Sequence, residues 1–456
     1  DPRRGTRDRA ASRASLEPPP VIERLRNALA ALGIEGEAAA AALVAADDVR
    51  DAWLERDSAG LEQTAKVMLA FREAGITDAH LHGTLGYGYH DFGRESFETI
   101  LARVMDAQAA FVRPQLATGT QAIVHAIAAL ASGGVVCSLT GRPYDTLRLA
   151  LVDHPNALCV ADRYEETSRA AGGSIDWGAI EASLRNRPAV AFIQRSRGYA
   201  PRPSIGIAAI GRMIEVARAV SPRTAIVVDN CYGEFVEARE PCAVGADLAV
   251  GSLIKNPGGG MAPTGAYVVG TREAVERVAQ RFFAPGLDRA VGPSLDFLRP
   301  AFAGLHRAPR CVAESLKIMD FTAALFARLG FDVGPRAGAE RTDIIQSIAL
   351  GDAERLTAFA RGLARMLPVN GNAVPEPGAV PGYAQPVIMA GGAFITGSTM
   401  ELSCDAPLRE PYEVYVQGGM DVAHGMLAMT SAADAVMQRA ALRRDGPSRR
   451  SSAARE

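Results

Sequence analysis

Three short segments hold residue types that can do chemistry together: Ala117-Thr118-Gly119-Thr120-Gln121, Ala225–Asn230 and Gly251–Gly260. In the third, Lys255 ends an apolar run and is followed by Asn256, Pro257 and three glycines. Lysine is scarce in this arginine-rich chain. An amine in a loop after an apolar strand is suited to forming a Schiff base with a carbonyl compound. Burial and nearby positive charge would lower its pKa and leave a useful fraction neutral. A surface lysine capping a turn is the plainer reading of Lys255 taken alone. In the second segment Asp229 ends an apolar run, 26 positions before Lys255. A carboxylate there is costly to bury unless a cation pairs with it. A protonated ring nitrogen is one such partner. Magnesium is a rival, but the chain has no G-x-x-x-x-G-K-[ST] to accompany it. In the first segment Gly119 permits close backbone approach, Thr120 offers a hydroxyl, and the free N–H groups of a following helix attract an anion such as phosphate. A threonine N-cap without ligand explains the same residues.

These segments matter together only if the fold brings them to one edge. Hydrophobic periodicity predicts alternating units across the middle of the chain: strands at 111–116, 135–140, 157–161 and 189–194, with helices at 120–131, 144–152, 177–185 and 208–220. Short apolar runs of strand length follow at Ala225–Asp229, Leu248–Ser252 and Ala266–Val269. Such alternation predicts a largely parallel sheet covered on both faces, with ligands bound at the carboxyl ends of its strands. Amphipathic helices at 38–49 and 60–74 precede it, then a loop at 83–89 rich in glycine and tyrosine and a helix at 94–110. A helical stretch over 272–329 leads to a second unit: a strand at 344–350, a helix at 353–366, a glycine-rich hairpin-like region at 387–404 and a long helix at 418–442. The expected organisation is a tail over 1–20, a helical segment over 21–75, a large α/β domain over 76–300, a small α+β domain over 301–442 and a tail over 443–456.

Composition narrows the partners. A formal net charge of −2 gives no bulk attraction to nucleic acid or to anionic membrane. The longest uncharged run, Pro114–Gly141, is split by Gln115, Gln121, His125 and Gly133-Gly134, so it is not read as a membrane span. The start of the chain lacks the apolar stretch of a signal peptide. Six widely spaced cysteines without a C-x-x-C pair predict free thiols in a reducing cytoplasm rather than a disulfide framework or zinc site. His80 and His82 lack further ligands at suitable spacing.

The segment Gly251–Gly265 closely resembles the region around the cofactor lysine of the methionine γ-lyase-like family, to which aluminium-resistance proteins also belong. The resemblance extends through 86–94 (GYGYHDFGR), 112–115 (VRPQ), 142–147 (RPYDTL), 193–199 (IQRSRGY), 228–235 (VDNCYGEF), 341–346 (RTDIIQ) and 408–412 (LREPY). It spans roughly Leu61 to Leu442. It implies an aminotransferase-like fold (fold type I) with a large domain binding pyridoxal 5′-phosphate (PLP) and a small C-terminal one. It further implies that Lys255 forms the Schiff base, that Asp229 keeps the pyridine nitrogen protonated, and that Gly119, Thr120 and Ser252 cup the phosphate. Tyr144 would stack on the ring, with a core aromatic beside Pro143 as the alternative. Tyr87 and Arg94 resemble the phosphate clamp that a neighbouring subunit contributes in related γ-lyases, which implies a homodimer or homotetramer with shared active sites. His90 stands in that motif where relatives are expected to carry an acidic or small polar residue. For the substrate α-carboxylate the choice is Arg409, with Arg195, Arg197 and Arg341 as competitors. The reaction so implied is Cα deprotonation of an L-amino acid followed by loss of a γ-substituent: thiolate, halide or a similar group. From a vinylic halide the product would be an unsaturated or alkynyl amino acid. β-Elimination and transamination use the same lysine and aspartate, and a non-catalytic stress protein retaining the fold is a rival from another class.

Overall fold

The computed structural model describes residues 20–159 and 161–444. The expected tails therefore lie outside the described residues, except for Pro20 and for Arg443 and Arg444, which belong to helices. Strands β1 (Ala109–Arg113), β2 (Val136–Ser138), β3 (Tyr164–Glu166), β4 (Val190–Gln194), β5 (Ala225–Asp229), β6 (Leu248–Ser252) and β7 (Ala266–Gly270) form one sheet in the order β1-β7-β6-β5-β4-β2-β3. β7 runs antiparallel to β1 and β6, and every other pair is parallel. The carboxyl ends of β1, β5 and β6 therefore share one edge. That is where the three segments meet.

The sheet is covered on both faces, which is why its strands read as near-continuous apolar runs. In β1, Ala109 and Phe111 face one core cluster and Ala110 and Val112 the other. In β5, Val227 faces one side and Ile226 and Val228 the opposite one. This is the two-residue period of a strand.

A second sheet, wholly antiparallel, joins β8 (Asp332–Gly334), β9 (Ile345–Ala349), β10 (Val387–Ala390), β11 (Ser403–Pro407) and β12 (Glu413–Gln417) in the order β10-β11-β12-β9-β8. Helices Ala353–Ala364 and Val422–Arg444 pack with it, as does the 31-residue helix Leu298–Arg328. The helices Pro20–Ala31 and Gly36–Asp48 bury Leu25, Leu29, Ala42 and Ala45 in this same core. The first helices of the chain thus close over its C-terminal unit.

Three predicted elements are corrected. The strand expected at 111–116 lies at Ala109–Arg113. The described residues of 157–161 form no strand: Leu158 and Cys159 donate their N–H groups to Ala150 and Leu151. Their backbone is thus spent on the preceding helical turn, and the sheet edge is Tyr164–Glu166 instead. The stretch 272–329 is two helices, Arg272–Phe282 and Leu298–Arg328. Pro285, Gly286, Gly292 and Pro293 keep the intervening segment out of α-helix, leaving only a 3₁₀ turn at Asp288–Ala290.

Candidate active site

A cavity of ≈ 290 Å³ opens at the shared edge, and Gly119, Thr120, Tyr144, Asp229, Ser252 and Lys255 all stand in its wall. Six of the nine predicted site residues are therefore brought together. Tyr87, Arg94 and Arg409 are not among the lining residues.

Lys255 follows β6 at the start of a tight 3₁₀ turn, Asn256–Gly258. The glycines after it let this turn dock on the helix Leu298–Arg328. A Cβ on Gly258 would overlap the Leu253 carbonyl, and one on Gly259 the Gly304 carbonyl. The lysine is thus held by backbone packing too close for side chains. The chain contains two other lysines, Lys66 and Lys317. Lys66 pairs with Asp106 at 2.9 Å, and Lys317 with Asp57 at 2.9 Å and Glu314 at 2.7 Å. Among the described residues no carboxylate lies within ion-pair distance of Lys255. Its Nζ instead contacts the Thr399 hydroxyl at 3.4 Å and lies 3.9 Å from the centroid of the Tyr232 ring.

The sequence argument expected a lowered pKa for this amine, and the structure corrects it. Burial pulls the ammonium down, but Tyr232, Cys231 and Asp229 outweigh burial and the pKa is raised. Burial also pushes up the Tyr232 phenol and the Cys231 thiol, so both are neutral at ordinary pH. Asp229 is then a formal charge that the amine feels, and buried Asp405 is another carboxylate coupled to it.

Asp229 ends β5 and is buried. Its Oδ1 accepts the Cys231 N–H at 3.1 Å, and no cation pairs with it among the described residues. Burial raises its pKa, against the hydrogen bonds from Cys231 and the charge of Lys255. A buried carboxylate without a cation, facing a cavity, fits a protonated ring nitrogen.

Opposite it, helix Gly119–Ala131 begins with Thr118 as N-cap, whose side chain accepts the Gln121 N–H at 3.1 Å. The first N–H groups of a helix have no intrahelical acceptor. Gly119 packs so near Ser252 that an added Cβ would stand 3.3 Å from Ser252 Cβ and 3.6 Å from Cys231 Sγ. The cradle of Gly119, Thr120 and Ser252 thus suits a phosphate approaching the backbone. The Tyr144 hydroxyl meets Thr120 Oγ1 at 2.8 Å, and burial followed by the charge of Asp229 pushes its phenol pKa up.

The remaining predicted residues lie elsewhere. Arg94 is buried, and its guanidinium is spent on the carbonyls of Gly88 (2.9 Å), Gly292 (2.5 Å), Ala290 (3.2 Å) and Arg289 (3.4 Å). It fastens the 86–94 loop through these carbonyls, while its Nε is buried without a partner. Tyr87 is 75% exposed beside Tyr89, with ring centroids 5.8 Å apart. His90 is exposed and takes a left-handed backbone conformation, with φ of 56°. Arg409 sits in a tight turn that carries its side chain to the Tyr199 carbonyl (2.6 Å) and to Asp145 (3.8 Å). It faces an adjoining recess, as Arg197 does. Arg195 and Arg341 are committed to Glu237 at 2.6 Å and Asp320 at 2.8 Å.

Sequence reasoning missed Tyr199, Tyr232 and Tyr383, which line the cavity, and Thr399, which touches Lys255. Tyr232 stands three residues after Asp229 and could have been found by proximity. Tyr383 and Thr399 come from loops of the C-terminal unit without a distinguishing pattern.

A family model described as methionine gamma-lyase matches residues 39–437. The uncharacterised protein YnbB of Bacillus subtilis is 42% identical over 380 residues, 82% of this chain and 90% of that protein. The crystal structure of a carbon-sulfur lyase involved in aluminum resistance from Clostridium novyi NT is 34% identical with a TM-score of 0.84, covering 90% of this chain and 98% of that one. The pyridoxal-5′-phosphate-dependent protein YhfS of Escherichia coli is 16% identical with a TM-score of 0.57 over 85% of this chain and 97% of its own, a likeness of fold.

Proposed function

The chain belongs to the methionine gamma-lyase family of PLP-dependent lyases, and from that premise we propose that it eliminates a group, thiolate first among the candidates, from Cγ of an L-amino acid. When bound, the cofactor supplies a ring that takes up negative charge developing at the substrate Cα. Asp229 holds the proton on the ring nitrogen. Gly119, Thr120 and Ser252 would hold the phosphate, and Tyr144 would lie against the ring. Lys255 would hold the cofactor through its carbonyl carbon. Lys255, when its amine is free, would be the base for the Cα proton of the substrate. A ring cation beside Asp229 would also offset one negative charge near this amine, which would favour its neutral form.

A γ-elimination moves a second proton, from Cβ. Lys255, with the Tyr232 ring 3.9 Å away and the Thr399 hydroxyl at 3.4 Å, is placed to carry both. No arginine lines the Lys255 cavity among the described residues, so the α-carboxylate is assigned to Arg197, at the adjoining recess. Exposed Leu85, Tyr87, Tyr89 and Phe92 support pairing of two copies through the 86–94 loop, which would bring Tyr87 to a neighbour's site. Thiolate as the leaving group is supported by the carbon-sulfur lyase of Clostridium novyi.

The observation that carries this reading is that Lys255, which forms no ion pair among the described residues, and the buried Asp229 line one cavity. The experiment is to supply the PLP-loaded protein with methionine and with S-methylcysteine and to measure keto acid and ammonia. Release of 2-oxobutanoate from methionine is expected. Turnover of the β-substituted substrate alone would replace γ- with β-elimination, and keto acid without ammonia would indicate transamination.

A further inference from the structure

The second sheet turns a polar face toward the Lys255 cavity. In β11, Cys404 and Ala406 pack into the core of the C-terminal unit, and in β12 Val414 and Val416 do the same. The two-residue period of a strand therefore points Asp405, Tyr415 and Gln417 the other way. There they close on Tyr199, which follows β4 of the first sheet and lines the cavity. The Tyr199 ring stacks on Tyr415, with centroids 5.6 Å apart and planes at 21°, and its centroid lies 5.1 Å from that of Tyr383. Its carbonyl accepts Arg409 Nη2 at 2.6 Å. Asp405 itself is 5% exposed and forms no ion pair among the described residues. Its Oδ2 accepts Gln417 Nε2 at 2.9 Å, and the Tyr199 hydroxyl is a second donor to it. Burial raises its pKa, while both donors and the charge of Lys255 oppose the rise.

Donors aimed at a carboxylate favour its ionised form, and a buried anion is costly unless a cation answers it. Lys255 is the cation that Asp405 feels. Tyr232 stands between them: its ring lies 3.9 Å from Nζ, and its phenol senses both charges. The other groups facing the amine are Cys231, Asp229 and the Thr399 hydroxyl. A lysine that takes a proton from Cα becomes a buried ammonium, and that ammonium needs a counter-charge. Asp229 answers it poorly once a ring cation is its neighbour. We propose that Asp405 is the counter-charge for the ammonium that Lys255 becomes, and that Gln417 and Tyr199 hold it in place. Asp405 does not line the cavity, so it is a positioning residue that acts on Lys255 across Tyr232. The base is thus assembled from both domains, the amine from the large one and its counter-charge from the small one. This rests on the reading of Lys255 as the base for the Cα proton.

The test has two readouts on the PLP-loaded protein. The first is the visible absorption band of the bound cofactor, whose pH transition follows protonation of the Lys255 nitrogen. Asp405→Asn removes a negative charge, so the transition should move down by about one pH unit or more. Asp405→Glu keeps the charge and should bring the transition back to within about half a unit of its original place. The second readout is exchange of the Cα proton of norleucine with solvent deuterium, followed by NMR. Norleucine has no leaving group on Cγ, so exchange reports proton transfer without elimination. Asp405→Asn should slow this exchange at least about tenfold while norleucine affinity changes little, and Asp405→Glu should recover most of the rate. Asp405→Ser serves if the asparagine variant does not fold. A merely structural role would lower the melting temperature and leave the transition where it is. An unmoved transition, or an unmoved exchange rate, would overturn the proposal. No exchange in the unsubstituted protein would defeat Lys255 as the base, whereas exchange that ignores Asp405→Asn defeats the counter-charge alone.

Discussion

Asp229→Asn should move two properties in opposite directions. In the cofactor-free protein Asp229 is a buried carboxylate with one backbone donor, from Cys231 at 3.1 Å, and no cation partner among the described residues. Asparagine keeps an acceptor for that N–H and removes the buried charge. Relief of such a desolvation penalty amounts to about 1–3 kcal/mol, so the cofactor-free variant should melt above the unsubstituted protein. With PLP present the sign reverses. The ring-nitrogen cation then lacks a buried counter-charge, a loss of about 3 kcal/mol or more, or roughly a hundredfold in Kd. The assay is thermal unfolding with and without saturating PLP, together with a fluorescence titration of the cofactor. A variant that is less stable without PLP yet binds it with unchanged affinity would refute the assignment of Asp229 to the ring nitrogen.

Burial raises the Glu234 carboxyl from its ordinary 4.5 to about 8, with only Tyr267 (2.7 Å) bonding its side chain closely. The folded state therefore holds a proton that the unfolded state has lost between pH 4.5 and about 8. Stability should fall as pH rises through that window and level off above it. Glu234→Gln should flatten this decline in melting temperature; an unchanged pH profile would show that Glu234 ionises normally. Arg94→Met removes the guanidinium that gathers the Gly88, Arg289, Ala290 and Gly292 carbonyls, at a cost of about 2–4 kcal/mol. Faster proteolysis at 86–94 should accompany the lower denaturant midpoint, and a midpoint that does not move would contradict the fastening role.

The cavity was legible in the sequence because its parts obey local rules. Asp229 and Lys255 end apolar strands, and Gly119 opens a helix, so a parallel sheet was enough to predict their meeting. The residues that escaped are governed by distant partners. The contacts of Arg94 within its own chain could not be foreseen, because its acceptors Arg289, Ala290 and Gly292 lie about two hundred positions away. Arg409 is turned from the Lys255 cavity by Tyr199 and Asp145, contacts that no spacing reveals. The pKa of Lys255 was misjudged for the same reason. Burial was foreseen, but the anionic and polar neighbours that reverse its effect come from the chain around Cys231. The strand expected at 157–161 failed through backbone bonding, since an apolar run carries no mark of where its N–H groups are spent.

The central claim is that Lys255 is the amine that holds the cofactor, and with three lysines in the chain it can be tested almost by elimination. The measurement is borohydride reduction of the PLP-loaded protein followed by peptide mass mapping. The phosphopyridoxyl mass should fall on Lys255, and the visible absorption band should vanish in a folded Lys255→Ala variant. A label on Lys66 or Lys317, or a loaded Lys255→Ala variant that keeps the band, would contradict the account.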